Sequence, residues 1–227
     1  MTRRVYYPIF ADLRGRRCVV VGGGLVAQRK VIGLRRAGAD VAVISPRATT
    51  RLLAYARQRT IRHLARSFRR SDVQGAWLVV AATNDETLNT RVARSATRRR
   101  IFTNVVDQPS LCSWIAPAIV RRGLLTIAIS TAGASPTLAK KLRGDLQRMV
   151  RSEYAPMTRL LGGLRTVAKQ RLPSASLRKR YFSRLVHSAV KTHQQALDLL
   201  ERYAVRPASH AVGGLRRRRS GGVKNGT

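Results

Sequence analysis

Three consecutive glycines, Gly22-Gly23-Gly24, followed by Leu25-Val26-Ala27, complete the pattern GxGxxG/A. In that spacing Gly22 makes a tight turn, Gly24 lets the backbone approach a pyrophosphate closely, and Ala27 lets a helix pack against a strand. The anion would rest on the N-terminus of the following helix, where free N–H groups and the helix dipole favour negative charge. The chemistry on offer is dinucleotide binding, with a merely structural glycine turn as the other reading.

An acid at the end of the second strand usually holds the adenosine ribose of NAD. Here that place is Ser45, followed by Pro46 and Arg47. Asp40 lies at a tempting distance from the glycines, but it precedes the strand and so points away from the cofactor edge. Residue chemistry alone therefore leaves NAD and NADP open, with Arg47 placed to face an extra phosphate. Asp107 closes a later apolar run, at the strand end where ligands bind in parallel sheets; a loop cap beside Gln108-Pro109 is the alternative.

The elements that must position these residues alternate. Arg17 to Val21 reads as a strand buried on both faces, Val26 to Ala37 as a helix stopped by Gly38, and Asp40 to Ile44 as a second strand. Arg51 to Arg59 looks helical and Ile61 to Leu64 could be a short strand. Ala76 to Ala82 is a buried strand, Glu86 to Arg98 a helix, and Ile101 to Val106 a strand ending on Asp107. This is the grammar of a doubly wound α/β domain. From Leu111 it changes: Leu124 to Ser130 reads as a strand followed by a Gly-containing turn. Ser135-Pro136 then opens a helix with Leu138, Leu142, Leu146 and Met149 on one face. Two further helical stretches follow, Glu153 to Leu172, interrupted by Gly162-Gly163, and Ser176 to Tyr203. The tail from Pro207, rich in Gly, Ser and Arg, offers no apolar periodicity and is expected to be disordered.

The chain carries 45 Lys and Arg against 10 Asp and Glu, a formal net charge of +35. Such a field suggests nucleic acid, but a binding patch would be localised. The excess is instead spread, +21 over residues 1–150 and +14 over 151–227. A composition-wide bias explains most of it, and attraction of a polyanionic substrate comes next; nucleic acid is not the expected partner. Cys18 and Cys112 form no CxxC and no metal-ligand spacing, which fits a reducing, cytoplasmic setting. His63, His187, His193 and His210 likewise show no ligand spacing, so no metal site is expected. The N-terminus lacks the apolar stretch of a signal, and no window is long and apolar enough to span a bilayer, so a soluble protein is expected.

Taken in order and at their spacing, these stretches resemble the precorrin-2 dehydrogenase family, which includes the N-terminal part of siroheme synthase. The resemblance rests on Tyr7-Pro8-Ile9-Phe10 with Leu13, on Val19 to Gly24 followed by Val26-Ala27 and Arg29-Lys30, and on Ala81-Ala82-Thr83-Asn84-Asp85 with Asn89. It continues in Asn104-Val105-Val106-Asp107 and in Ser130 to Pro136 with Leu138-Ala139 and Leu142-Arg143. It implies NAD-linked oxidation of precorrin-2, a polycarboxylate tetrapyrrole, to sirohydrochlorin. In some members Fe2+ insertion follows.

The resemblance also implies a homodimer and site residues. Asp107 matches the aspartate assigned a catalytic role; Leu25, Val26, Pro46 and Arg47 match positions that contact NAD; Thr83 follows the strand whose end passes the cofactor. Thr131 stands where siroheme synthase carries a serine that can be phosphorylated. Members commonly lack the acid at the position of Ser45 and still use NAD, which favours NAD here. The expected organisation is a Rossmann-like NAD-binding domain over 1–113, a dimerisation segment over 114–150, a helical domain over 151–206 and a basic tail over 207–227. The methyltransferase part of siroheme synthase has no counterpart, so substrate is expected from a separate enzyme. Rival readings are an NAD-sensing or nucleic-acid-binding regulator on the same fold, and a dehydrogenase for another small acid.

Overall fold

The structure, a computed structural model, describes residues 5–187 and 193–204. The described residues divide into two compact units, one of residues 5–119 with 128–144, the other of 120–127 with 145–187 and 193–204.

The first unit is built on a five-stranded parallel sheet: β1 (Arg17–Val21), β2 (Asp40–Ile44), β3 (Arg62–Leu64), β4 (Leu78–Ala81) and β5 (Phe102–Val105), in the order β3-β2-β1-β4-β5. This is the Rossmann-like arrangement expected from the alternation. Both faces of the inner strands are apolar, because each is covered by helices. On one face Val20, Val41, Val43 and Val80 pack with Ala27, Val31 and Leu34 of α1 (Leu25–Arg36) and with Leu52 of α2 (Thr50–Arg57). On the other, Val19, Val21, Ala42 and Val79 pack with Val92, Ala93 and Ala96 of α3 (Glu86–Thr97) and with Phe68 and Val73. Spacings of three and four put those side chains on one stripe of each helix. Gly38, at φ 77°, ends the turn that follows α1, and Asp85 caps α3 by accepting from the Leu88 N–H at 2.9 Å.

An ion pair on a buried carboxylate braces the connection between β3 and β4. Asp72 receives both ends of the Arg66 guanidinium, at 2.7 and 2.9 Å, and the Arg69 N–H at 2.7 Å. The Arg66 hydrogen bond, foremost, holds the Asp72 carboxyl below its ordinary value.

Beyond β5 the crossovers stop. A hairpin of β6 (Ala118–Arg122) and β7 (Leu125–Ile129) turns at Gly123, φ 59°, and leads to α4 (Pro136–Met149). Ser135 caps α4 as its sequence suggests, accepting from the Leu138 N–H at 3.2 Å. β6 is absent from the sequence expectation, since its two arginines and the preceding Pro117 hide the apolar alternation.

In the second unit, Arg122 donates to the carbonyls of Gln147 (2.9 Å) and Val150 (3.0 Å), placing a cation on the C-terminal end of α4. Its core is formed by α5 (Tyr154–Arg171), α6 (Ala175–His187) and α7 (His193–Ala204), which bury Leu164, Ala168, Leu172, Tyr181 and Leu185. The Tyr181 ring meets Phe182 and Tyr203 edge-on, with centroids 5.1 and 5.9 Å apart.

Two expectations are corrected here. Gly162-Gly163 does not interrupt α5, because Leu160, Leu161, Leu164 and Ala168 on either side of the pair carry the helix into the core. The single stretch Ser176 to Tyr203 is two helices, α6 and α7, separated by residues 188–192, which lie outside the described residues. The expected disordered tail, with His210, also lies outside them. Among the described residues no helix is long and apolar enough to cross a membrane.

Candidate functional site

The glycine turn joins the ends of β1, β2 and β4. The Gly22 N–H donates to the Ile44 carbonyl at 2.9 Å, and the Ala82 N–H donates to the Val21 carbonyl at 2.8 Å. Gly22 has φ 119°, and a Cβ there would fall 2.2 Å from the Ala82 carbonyl oxygen. Only glycine meets both demands. Gly23, to which the motif assigns no role, is as crowded: its Cβ would lie 2.0 Å from the Arg47 carbonyl oxygen.

Gly24 differs. It adopts φ −78° and ψ −174°, a conformation open to any residue, and a Cβ on it would meet no atom within 4 Å. It is also the N-cap of α1, where no side chain caps the helix and no acid occupies the first turn. The unfilled space above Gly24 and the uncapped N–H groups form a cradle that a pyrophosphate fits. Ala27 is fully buried against the sheet, as its place in the motif requires. Leu25 stands 70% exposed at the rim and Val26 is half-buried.

The loop after β2 is laced to this turn. The Thr49 N–H donates to the Gly23 carbonyl (2.9 Å), the Ser45 N–H to the Leu64 carbonyl (3.2 Å), and the Ser45 hydroxyl to the Arg47 carbonyl (2.6 Å). The Ser45 proton is therefore committed to the turn, leaving its oxygen to accept. His63 lies with Nε2 3.0 Å from the Ser45 carbonyl, a packing role rather than a ligand role. Pro46 and Arg47 are exposed at the rim. Asp40 sits at the opposite end of β2, paired with Arg62 at 2.7 Å.

Thr83 follows β4. Its hydroxyl lies 2.8 Å from the Asn89 Oδ1 and 3.1 Å from the Asp85 carbonyl, and the buried Asn89 donates back to the Thr83 carbonyl at 3.0 Å. This ring of bonds fixes the loop that crowds Gly22.

Asp107 follows β5 at φ 58°, exposed, and among the described residues its carboxylate has no hydrogen bond or ion pair. Aspartate is one of the few non-glycine residues that tolerates this left-handed conformation. The loop is set by the buried Cys112, whose Sγ accepts from the Val105 N–H (3.1 Å) and lies 3.2 and 3.4 Å from the Val105 and Gln108 carbonyls.

Three residues before Asp107, Asn104 is buried and turns its amide N–H groups to the Trp114 carbonyl (3.1 Å) and the Cys112 sulfur (3.6 Å). Its Oδ1 accepts from the Lys30 ammonium at 3.1 Å. Burial, foremost, pushes the Lys30 ammonium below the ordinary lysine value, and nearby Asp107 opposes that. Lys30 was not singled out for a role by its sequence position alone. The available signal was a charge within the buried stripe of α1, between Ala27 and Val31. Among the described residues no three His, Cys, Asp or Glu side chains converge as metal ligands would.

Residues 9–118 match the family described as "Putative NAD(P)-binding", and residues 122–149 match the one described as "Sirohaem biosynthesis protein central". The siroheme synthase of Thioalkalivibrio sulfidiphilus is 43% identical over 185 residues, covering 82% of this chain and 38% of that protein. Siroheme synthase 2 of Klebsiella pneumoniae is 37% identical over 212 residues, covering 90% and 46%. The chain thus spans well under half the length of these relatives. Among solved structures, that of SirC, precorrin-2 dehydrogenase, superimposes with a TM-score of 0.74 at 28% identity, covering 87% of this chain and 100% of that one. With a dinucleotide cradle over Gly24, a free carboxylate at the end of β5, and these likenesses across both units, the chain belongs to the family of precorrin-2 dehydrogenases and the N-terminal part of siroheme synthase.

Proposed function

We propose that this protein oxidises precorrin-2 to sirohydrochlorin with NAD, acting as a cytoplasmic homodimer. The observation that carries the reading is the likeness to SirC, precorrin-2 dehydrogenase, over that protein's whole length.

The reaction removes a hydride from a bridging carbon and a proton from the macrocycle. A bound NAD supplies the hydride acceptor. Gly22 and Gly23 hold the turn, and Gly24 with the first N–H groups of α1 takes the pyrophosphate. Leu25, Val26, Pro46, Arg47 and Thr83 would border the bound cofactor, and the Ser45 oxygen, its proton held by the Arg47 carbonyl, would be left to accept from it. NAD is favoured over NADP because the resemblance outweighs the lone Arg47. Asp107, whose carboxylate has no hydrogen bond or ion pair among the described residues, accepts the macrocycle proton or orients the group that loses it. The ring's carboxylates meet a chain of net charge +35, which strengthens their attraction. Adding precorrin-2 and NAD to the purified chain tests the reading: NADH should form only when both are present.

The dimer reading rests on α4. Leu138, Leu142 and Met149 lie on one face and are 47%, 38% and 70% exposed, an unpartnered apolar stripe. Sedimentation should give twice the chain mass; a monomer at micromolar concentration would refute it.

A further inference from the structure

Arg29-Lys30 accompanies the glycine turn in the sequence, yet Lys30 takes no part in cradling a pyrophosphate. It stands on the flank of α1 that faces the sheet, and its ammonium crosses to Asn104 on β5, two strands from β1. Asn104 cannot turn its amide over, because both N–H groups are committed to Trp114 and Cys112. The end of the amide that faces Lys30 is therefore the carbonyl oxygen, a neutral acceptor. No carboxylate pairs with Lys30 among the described residues, and Asn104 is the one acceptor its ammonium meets there.

A cation drawn from water onto one neutral oxygen costs free energy that an apolar side chain at the same place would not. Asp107 lies near enough to favour the charge but forms no ion pair with it, so the position gains most when an anion completes the shell. Geometry says where that anion would come from. Helical side chains lean toward the helix N-terminus, and α1 begins at the carboxyl edge of the sheet, so the stem of Lys30 leans toward the crevice. Asn104 is in register with Val80, and Val80 with Val20, one residue below that edge. Asp107 follows three residues after Asn104, at the rim above it.

We infer that Lys30 is a specificity-determining residue whose ammonium, oriented by Asn104, takes one peripheral carboxylate of the tetrapyrrole and so sets which bridging carbon lies beside Asp107. This rests on the function proposed above. Tetrapyrroles of this class carry acetate and propionate arms around the ring, so one fixed cation is enough to define the ring's rotation in the crevice.

Three variants of the whole chain separate this role from a structural tie. Lys30→Gln keeps a donor to Asn104 but removes the charge, Lys30→Met removes both, and Lys30→Arg keeps the charge. The probes are sirohydrochlorin, titrated anaerobically without cofactor, and NADH, followed by fluorescence. Lys30→Gln should weaken sirohydrochlorin binding and raise the KM for precorrin-2 by about ten- to a hundredfold, the worth of one charge-assisted hydrogen bond, with kcat within about threefold. NADH affinity should stay within about twofold, Lys30→Met should match Lys30→Gln, and Lys30→Arg should recover most of the loss. Sirohydrochlorin affinity unchanged in Lys30→Gln overturns the inference. So does a pattern in which Gln rescues and Met does not, or in which NADH binding falls in step, since either marks a structural tie. A wild-type chain that neither binds sirohydrochlorin nor forms NADH overturns this inference and the proposed function together. A wild-type chain that does both beside an unaffected Lys30→Gln overturns the inference alone.

Discussion

Replacing Gly22 and Gly24 one at a time by alanine separates folding from cofactor binding within three residues. At Gly22 the new Cβ would fall 2.2 Å from the Ala82 carbonyl oxygen, on a backbone at φ 119°. The dihedral alone costs about 1–3 kcal/mol in a residue with a side chain. The overlap is with main chain, which must move, and adds about 1–3 kcal/mol. Together they amount to about 2–6 kcal/mol, or a fall of about 6–18 °C in Tm at roughly 3 °C per kcal/mol for a chain of this size. At Gly24 neither cost arises, since φ is −78° and no atom lies within 4 Å of the added carbon. Gly24→Ala should therefore melt within about 2 °C of wild type, yet its methyl group occupies the space the pyrophosphate needs, and NADH affinity should fall about tenfold or more. The assay is thermal melting beside NADH fluorescence titration. If Gly22→Ala melts like wild type, or Gly24→Ala binds NADH undiminished, the assignment of these glycines is wrong.

Other outcomes follow from single contacts. Asp107→Asn keeps a residue that tolerates φ 58° and should lower kcat about 10²–10⁴-fold while NADH affinity holds; unchanged turnover would remove Asp107 from the mechanism. Asp72→Asn should lower Tm at neutral pH, because the buried carboxylate loses its charge-assisted bonds from Arg66 and the Arg69 N–H. Because the folded Asp72 carboxyl sits below its unfolded value, this stability is complete above the ordinary carboxylate range and is lost as pH falls through the folded value. The Tm difference between wild type and Asp72→Asn should therefore shrink below about pH 4, and a gap that persists in strong acid would show another cause. Leu142→Asp places a charge in the apolar stripe of α4 and should convert a dimer to monomer by light scattering, with near-wild-type helix content.

Much of this arrangement can be read from residue order, and the exceptions have physical causes. β1 and β2 are legible to the residue because inner strands covered on both faces are unbroken apolar runs. The glycine turn is legible as a motif, but its contacts are not: crowding at Gly23 comes from Arg47, which reaches it only through the fold. The hairpin strand β6 escapes notice because Arg121 and Arg122 break its alternation, and one of them serves to hold the end of α4. Gly162-Gly163 looks like a break, since local propensity says so, yet tertiary packing of Leu164 and Ala168 carries α5 through. The Lys30 to Asn104 bond joins residues 74 apart in sequence, and no local pattern encodes such a contact. Asp107 could be placed at a strand end, while its left-handed backbone emerges only in three dimensions.

Oxidation of precorrin-2 in the crevice above Gly24 and Asp107 is the central claim to test. The most direct measurement is NADH formation when precorrin-2, generated in situ under anaerobic conditions, is mixed with the purified chain and NAD. One NADH should form for each sirohydrochlorin produced, with turnover lost in Asp107→Asn. A chain that binds NADH but yields neither product from precorrin-2 would contradict the claim.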